Sequence, residues 1–514
     1  MRSTQIGSFY DVVVLGTELA PLTCAALLGK RGFRVLVLGQ QSDRPDYALG
    51  KLRLPRHPFA FSAAHAPAAR RVLSELGLGQ SFRRVADVRQ PALQVALPGH
   101  RFDLPLDDAR LEREIEREFP EVKRPILDFN RRCEEHARAT DALFEQLRCF
   151  PPESLFERRD LSRLAARLDL ERPRAGEALL SEFPEAHPFR STVRALLAFS
   201  ASCEPEAITE LQLSRLWSGR IRDALRIDGG LAGLHDLLLD RIRSHSGELR
   251  MRERASHVVV RRGAACGVRL FGSDEEIGCQ TVVSGIEVAA LQRLLSDRDP
   301  LERLFERLGE PQPRFYRYAL NAIVRRAGIP EGLSGDALFI RNLDAPRKCE
   351  SLLHVEHTAL DAERSLLCVE GLLPARAVEE RDGSLDELRE RMLGALGDLV
   401  PFVGEHLLVL DSPHDGRKPW ARASDCDLST DPYERRGPET MRAVHAFPVT
   451  TALSVCAMPV KTPLRGLLLC NRQVAPGLGV EGELITASSA AQLAERSDRG
   501  REWMRRRLWT KVEL

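Results

Sequence analysis

The 514-residue sequence is poor in lysine, has almost no net charge and contains no long apolar run. Lysine supplies seven of the 75 basic residues, and 74 acidic residues balance them. This balance gives no indication of bulk attraction to nucleic acid, so no nucleic-acid partner is expected. We interpret the preference for arginine as an effect of genome composition, because clusters suited to bind phosphate or carboxylate are mostly missing.

Membrane-span, signal-peptide and zinc-site patterns are also missing. No stretch approaches the roughly 20 apolar residues that a membrane span needs. The polar Met1–Tyr10 is followed by the short apolar run Val12–Leu15, which is too brief for a secretory signal. The 11 cysteines include no CxxC pair, so zinc-ligand spacing is absent and no metal is expected. Scattered single cysteines predict reduced thiols and a cytoplasmic protein.

The first 40 residues have the pattern of a βαβ unit. Asp11–Leu15 (DVVVL) predicts a buried strand, and Gly16 and Thr17 predict a turn. Leu22–Lys30 predicts a helix packed on a sheet, and Arg34–Leu38 predicts the next strand. Strand, glycine turn, helix and strand within about 30 residues are typical of nucleotide-binding folds.

The rest of the chain alternates between helical and strand-forming segments. Residues 104–225 are charge-rich and predict a mainly helical insertion. The elements expected elsewhere are helices at Ala232–Ser244, 287–308, Leu385–Leu399 and Gly482–Ala494, and strands at His257–Arg261, Gly267–Phe271, Gln280–Ser284, Arg314–Val324, within Ser351–Leu372, and at Gly466–Cys470.

The first turn departs from the dinucleotide-binding fingerprint. That fingerprint uses three glycines and, about 20 residues later, an acid that binds a ribose hydroxyl. Gly16 occupies the first glycine position, but Glu18 and Pro21 occupy the other two. Gly39 stands where the acid is expected, followed by Gln40, whose amide could still bond a hydroxyl. Glu18 would bring a negative charge near two phosphates, at a cost of several kcal/mol.

Three separated segments carry a family resemblance. They are Tyr10–Leu38, Ile227–Ser284 and Leu464–Leu493, which includes LRGLLLCNRQVAPGLGVEGEL. In order and spacing the sequence resembles the flavin-dependent phytoene desaturase and carotenoid isomerase family, within the amine oxidase-like flavoproteins. Departures from the family pattern are Glu18, Pro21, Gly39, the stretch Ser42–Tyr47, and Asn471 in place of a glycine. Glu481 and Glu483 add negative charge beside the last glycine-rich loop.

The resemblance implies FAD laid along the first βαβ unit. It places the pyrophosphate at the glycine turn, the adenine beside the strand near Val259, and the flavin by the loop that begins at Pro476. The cofactor-binding residues it implies are Gly16, Thr17, Glu18, Gly39, Gln40, Val259, Pro476, Gly477, Gly479 and Gly482. No catalytic residue is assigned.

We therefore expect an α/β fold with a doubly wound, Rossmann-like FAD/NAD(P)-binding domain and an interleaved α+β substrate domain. The first domain is assigned to residues 1–100, 226–290 and 456–495, and the second to 101–225 and 291–455. Residues 496–514 form a basic tail.

Two functions stay open. One is an FAD-dependent oxidoreductase of the desaturase or isomerase type, acting on an apolar small molecule such as a polyene held between the domains. The other is a non-catalytic descendant that has lost FAD and serves as a binding or scaffold module. If the second is right, glycine restored at positions 18 and 21 and glutamate at 39 should create or tighten FAD binding.

Other candidates have simpler interpretations. His354 and His357 lie three apart on a predicted strand, so they point to opposite faces and do not share a metal. His235 and His245, on or after a helix, are interpreted as solvated side chains. The tail, with seven basic residues and two tryptophans, is either a terminal helix docked on its own domain or a basic helix for a membrane surface or a partner.

Overall fold

The apolar run at the start of the chain lies at the centre of a largely parallel sheet. A computed structural model describes residues 6–40, 44–222, 224–273, 275–296, 299–343, 348–379, 385, 387–422, 439–448 and 452–512. Its first strand, Ile6–Leu15, pairs in parallel with Val35–Leu38 on one side and with Glu276–Ser284 on the other. Val12–Leu15 are buried on both faces, as expected for a strand covered by helices on both sides.

This first sheet is assembled from distant parts of the chain. Its strands are, in spatial order, Ala255–Arg261, Ala264–Leu270, Glu276–Ser284, Ile6–Leu15, Val35–Leu38 and Glu248–Arg250, with Leu467–Leu469 also paired to Glu276–Ser284. The parallel strands end on the same side as the glycine turn. Residues far apart in sequence therefore meet at that edge.

The first helix, Leu19–Lys30, is enclosed by protein. Every residue from Leu19 to Gly29 is buried, because helices Gly230–Ser244 and Gly479–Val512 pack against it. A helix that is apolar all round belongs in an interior. It begins earlier than the sequence predicted, since Pro21 is accommodated in its first turn.

A second sheet is mostly antiparallel and is built around the 14-residue strand Gln312–Arg325. Its strands are, in spatial order, Trp420–Ala421, Leu407–Asp411, Gln312–Arg325, Arg364–Pro374, Leu352–Ala359, Asp336–Ile340, Leu93–Leu97 and His100–Leu104, with Arg442–Ala446 also paired to Gln312–Arg325. The register sets Arg317 opposite Arg442. Two small hairpin-like pairs are Asp46–Leu49 with Leu52–Pro55, and Ala86–Val88 with Leu225–Ile227.

The charge-rich middle of the chain is helical, as predicted. The helices there are Asp108–Glu118, Lys123–Gln146, Leu155–Arg167, Pro188–Ser200 and Glu210–Arg222. Three of them, Lys123–Gln146, Pro188–Ser200 and Glu210–Arg222, share a core of edge-to-face aromatic rings, in which Phe129, Phe189 and Trp217 lie with centroids 5.2–5.7 Å apart. The other helices are Pro67–Glu75, Gly79–Val85, Val288–Arg293, Asp299–Leu308, Ala375–Glu379, Leu388–Leu399, Val403–His406 and Ala452–Val455.

The predicted fold class is confirmed: helices cover a twisted, mainly parallel sheet, and an α+β unit is interleaved with it in sequence. Among the described residues, no helix combines the length and apolarity needed to cross a bilayer. The ten cysteines in the described part of the chain are free thiols.

Candidate functional site

The glycine turn joins the first strand to the first helix. Gly16 has φ +94°, a conformation that L side chains rarely adopt, and its N–H donates to the Leu38 carbonyl at 2.9 Å. A Cβ at this position would lie 3.4 Å from Cγ2 of Ile286. Thr17 follows as a buried residue. The requirement for glycine at position 16 thus comes from the backbone turn.

Glu18 precedes the first helix and pairs with two arginines. Its carboxylate accepts from Arg442 at 3.0 Å and from Arg472 at 2.7 Å. Burial alone would raise the pKa of Glu18, but the two guanidinium groups outweigh burial and lower the pKa to about 2. Glu18 is therefore ionised at neutral pH. We call Glu18, Arg442 and Arg472 the Glu18 cluster.

The two arginines come from different parts of the fold. Arg442 begins the strand Arg442–Ala446 of the second sheet, and Arg472 follows the strand Leu467–Leu469 of the first. The residues next to Glu18 in the sequence include no cation, and the compensating charges arrive from more than 400 residues away.

Two further carboxylates lie near the Glu18 cluster. The Ala20 N–H, at the start of the first helix, donates to Oε2 of Glu483 at 3.3 Å. Burial raises the pKa of both Glu287 and Glu483, although Arg472 opposes the effect. The region therefore holds three carboxyl groups for two guanidinium groups. The helix N-terminus, which commonly binds phosphate, already has an internal carboxylate as its partner.

Pro21 occupies the space of the missing glycine. A Cβ added to Gly285 would lie 2.4 Å from Cγ of Pro21, so the proline ring fills the gap between helix and strand that a bare Gly285 leaves. The segment after Gly285 is held by the residues around Arg472. Asn471 donates to the Ile286 carbonyl at 2.6 Å, and the Val288 N–H donates to Gln473 at 2.8 Å.

At the end of the second strand the protein backbone closes on Gly39. A Cβ there would lie 1.8 Å from the Met251 carbonyl oxygen, and the Gly39 N–H donates to Arg250 O at 3.2 Å. A side chain at position 39 would therefore collide with the protein backbone, so this position requires glycine. The next residue, Gln40, has φ +59°, and its buried Nε2 has no hydrogen-bond partner among the described residues.

The loop that begins at Pro476 lies against helices of the middle segment. Cβ atoms added to its glycines would meet protein atoms: Nε2 of Gln212 at 2.3 Å from Gly477, Ser200 O at 2.6 Å from Gly479, and Ala475 O at 2.3 Å from Gly482. The Pro476 carbonyl accepts from the Ser202 N–H at 2.8 Å. Close packing of the chain on itself accounts for these glycines.

Val259 stands apart from the other predicted site residues. Val259 lies in the outermost strand of the first sheet, where it pairs with Gly267 of the next strand. Two strands separate Val259 from Ile6–Leu15. The structure therefore brings Gly16, Thr17 and Glu18 to one edge and leaves Val259 at the other side of the sheet. Of the stretch Ser42–Tyr47, which replaces the family's glycines, residues 42 and 43 lie outside the described residues.

A second array beside the Glu18 cluster was missed by sequence analysis. His57 Nδ1 lies 2.8 Å from Oε1 of Glu370, and Arg317 donates to the other oxygen at 3.3 Å. Burial and the nearby Arg442 lower the pKa of His57 to about 3, so the ring is neutral and its Nδ1–H donates to Glu370. These residues come from three unrelated segments, and no local motif marks them.

Of the other histidines named from the sequence, two have side-chain partners, His235 is buried, and His245, expected to be solvated, is half-buried. His354 bonds Asp336 at 2.8 Å and His357 bonds Ser365 at 3.1 Å, so the pair shares no ligand. Asp336 also pairs with Arg220 at 2.5 Å and is 1% exposed. We predicted that His235 is solvated, but its side chain is only 4% exposed because its helix packs on the first helix. Within the described chain no group of three metal-binding side chains occurs.

The FAD that the resemblance implies does not fit this arrangement. Its pyrophosphate would bring negative charge to a turn where Glu18 is ionised and where Glu483 already binds the helix N–H. The acid that would hold its ribose cannot stand at position 39, where the Met251 carbonyl abuts Gly39. Internal carboxylates therefore occupy the arginines and the helix N–H that a phosphate would otherwise bind.

Comparison with known proteins identifies the fold. No protein-family model and no curated protein matches the chain. Among solved structures, an oxidoreductase from Methanosarcina mazei is similar with a TM-score of 0.58 and 16% identity, over 94% of this chain and 100% of the other. Wild-type putrescine oxidase bound to putrescine gives 0.57 and 14%, over 96% and 99%. Cyclohexylamine oxidase from Brevibacterium oxydans gives 0.54 and 14%, over 95% and 99%.

These likenesses extend over nearly the whole chain. The protein therefore shares the fold of these solved structures. At such low identity the likeness establishes the fold, while activity has to be argued from the site.

Proposed function

We propose that the protein is a binding module with an oxidoreductase fold, in which an internal ion-pair cluster takes the place of the dinucleotide phosphates. The observation that carries the proposal is the Glu18 carboxylate held by Arg442 and Arg472 at the glycine turn. The two guanidinium groups are the kind with which a protein binds a pyrophosphate, and here the chain's own Glu18 carboxylate pairs with them.

Electrostatics supports the proposal. Arg442 and Arg472 are already paired with Glu18, so a phosphate would have to displace the carboxylate from both guanidinium groups. Once displaced, the uncompensated Glu18 carboxylate would repel a phosphate about 4 Å away by about 4 kcal/mol at an effective dielectric constant near 20. A loss of this size reduces affinity by several hundredfold.

The contacts at Gly39 support the proposal independently of charge. The Met251 carbonyl leaves no room for a side chain at position 39, so the acid that would hold a ribose cannot simply be restored there. The earlier expectation that glutamate at position 39 would help FAD to bind is therefore replaced by the expectation that it disrupts the sheet edge.

The test is the purified full-length protein. We expect no visible flavin absorbance, no flavin in the supernatant after denaturation, and no saturable heat of binding when FAD is titrated in the micromolar range. Protein that is yellow as purified and releases stoichiometric FAD would overturn the proposal.

A second candidate is an FAD-dependent oxidoreductase acting on an apolar small molecule, with a polyene as one substrate. The unpartnered Nε2 of Gln40 at the end of the second strand favours it, because this donor is placed to bond a ribose hydroxyl. When bound, FAD would supply the redox chemistry. Under this candidate Gln40→Ala weakens FAD binding measurably, whereas under the first it leaves the absence of FAD binding unchanged.

A further inference from the structure

An apolar pair is exposed where the helix Leu155–Arg167 begins. Leu155 and Phe156 occupy its first two positions, and each is 81% exposed. Single exposed apolar residues are common, but two adjacent large side chains with this exposure mark an interaction site. They stand out among the described residues, where the other large exposed apolar side chains are 45–60% exposed.

Two basic side chains follow the pair in the same helix. Arg158 and Arg159 are exposed and form no ion pair with the described residues. Arg159 lies four residues after Leu155, so both occupy the same face of the helix. We call Leu155, Phe156, Arg158 and Arg159 the Leu-Phe patch.

The patch is fixed to the C-terminal helix by Glu157. One carboxylate oxygen accepts from the Ser154 and Glu153 N–H groups at 3.1 Å, and the other pairs with Arg496 at 2.5 Å. Burial would raise the pKa of Glu157, but Arg496 and the N–H groups outweigh it and lower the pKa to about 2, so Glu157 is ionised at neutral pH. Ser489 of the C-terminal helix makes a second link, to the backbone of Phe150.

The C-terminal helix continues from this anchor to Val512. Residues 496–512 contain seven basic residues, two acidic residues and two tryptophans, in a chain whose net charge is only +1. The basic stretch therefore begins, at Arg496, in contact with Glu157 beside the Leu-Phe patch.

We propose that the Leu-Phe patch and the basic segment 496–512 together bind the surface of an anionic lipid bilayer. Stable attachment to a membrane surface needs two signals, apolar side chains that enter the headgroup region and basic residues that attract anionic lipids. Leu155 and Phe156 supply the first signal, and the arginines of the patch and of the segment supply the second. The inference is independent of whether the protein holds FAD.

The experiment is co-sedimentation of the full-length protein with vesicles. Vesicles of phosphatidylcholine alone are compared with vesicles that also contain phosphatidylglycerol, at low and high sodium chloride. We expect binding to the anionic vesicles, little binding to the neutral ones, and a marked loss of binding at high salt. Absence of binding to anionic vesicles would overturn the proposal.

Variants distinguish the two signals. The double variant Leu155→Ser/Phe156→Ser is expected to bind anionic vesicles roughly tenfold more weakly. The triple variant Arg505→Gln/Arg506→Gln/Arg507→Gln is expected to lose most of the preference for anionic lipid. Phe402→Ser is the matched control, because Phe402 is 56% exposed outside the patch, and its binding should equal that of the wild type.

All these positions are exposed or terminal, so folding should be preserved, and circular dichroism checks it. Unchanged vesicle binding by the double variant would contradict the proposal. So would a wild-type dimer that Phe156→Ser converts to a monomer while neither form binds vesicles, since the patch would then be an interface between copies of the chain.

Discussion

The substitution Glu18→Gln tests the site most directly. It keeps the size of the side chain and removes the charge that pairs with Arg442 and Arg472. The pKa of Glu18 lies at about 2 against an ordinary 4.5, which corresponds to about 3 kcal/mol in favour of the ionised form. The side chain is 36% exposed, so solvent screening reduces this value, and we expect a loss of about 1–2 kcal/mol in the free energy of unfolding at pH 7.

The lowered pKa of Glu18 sets the direction in which the free energy of unfolding changes with pH. Because the pKa of Glu18 is lower in the folded state, its contribution is present above about pH 4.5 and disappears as the pH falls toward 2. The wild type should therefore lose stability over this range, and Glu18→Gln should lose less. Urea denaturation at a series of pH values measures both. The matched control is Glu306→Gln, at an exposed position outside the cluster.

The same variant should gain a property. With the carboxylate gone, two guanidinium groups at the start of the first helix have no ionised partner at position 18, and we expect them to bind inorganic pyrophosphate. Isothermal titration with pyrophosphate should show saturable binding by Glu18→Gln and none by the wild type. Equal stability of wild type and variant at pH 7 and at pH 3, with no gain of pyrophosphate binding, would refute the role given to the cluster.

Three further predictions concern the surrounding structure. Gly39→Glu should lower the free energy of unfolding by more than about 3 kcal/mol, because the Met251 carbonyl oxygen, 1.8 Å from the new Cβ, must move. The control Gly394→Ala has open space around it and should be tolerated. Thermal melting compares the two variants. Asp336→Asn should cost about 3–5 kcal/mol in urea denaturation, since Arg220 would be left buried without its ion-pair partner. His57 has its pKa lowered to about 3, so the wild type should lose stability as the pH falls from about 6.5 toward 3, and His57→Gln should lose less; equal slopes for the two proteins would contradict this.

Local patterns predicted the fold well. The buried run Val12–Leu15 and the turn at Gly16 predicted a βαβ unit, and the structure has one there. Such signals are local, because a strand buried on both faces needs consecutive apolar residues and a tight turn needs glycine. The predicted ends of the elements were less accurate. The first helix begins at Leu19 rather than at Leu22, because Pro21 is compatible with the first turn of a helix.

The chemistry of the site was only partly predictable. The sequence alone marked Glu18, Pro21 and Gly39 as departures from a phosphate-binding turn. It did not indicate what these residues contact, such as the Gly285 backbone beside the Pro21 ring or the Met251 carbonyl against Gly39. No spacing rule connects these positions, because each contact joins segments that are more than 200 residues apart in the chain.

By itself, the sequence determined the order of strands and helices, the glycine turn and the loss of the dinucleotide pattern, since each depends on nearby residues. Only the tertiary structure decided that Glu18 is a paired, ionised carboxylate rather than an uncompensated one, because its partners lie 424 and 454 positions away, at Arg442 and Arg472. Coulomb energy depends on distance through space, and the fold brings both guanidinium groups within 3.0 Å of the Glu18 carboxylate.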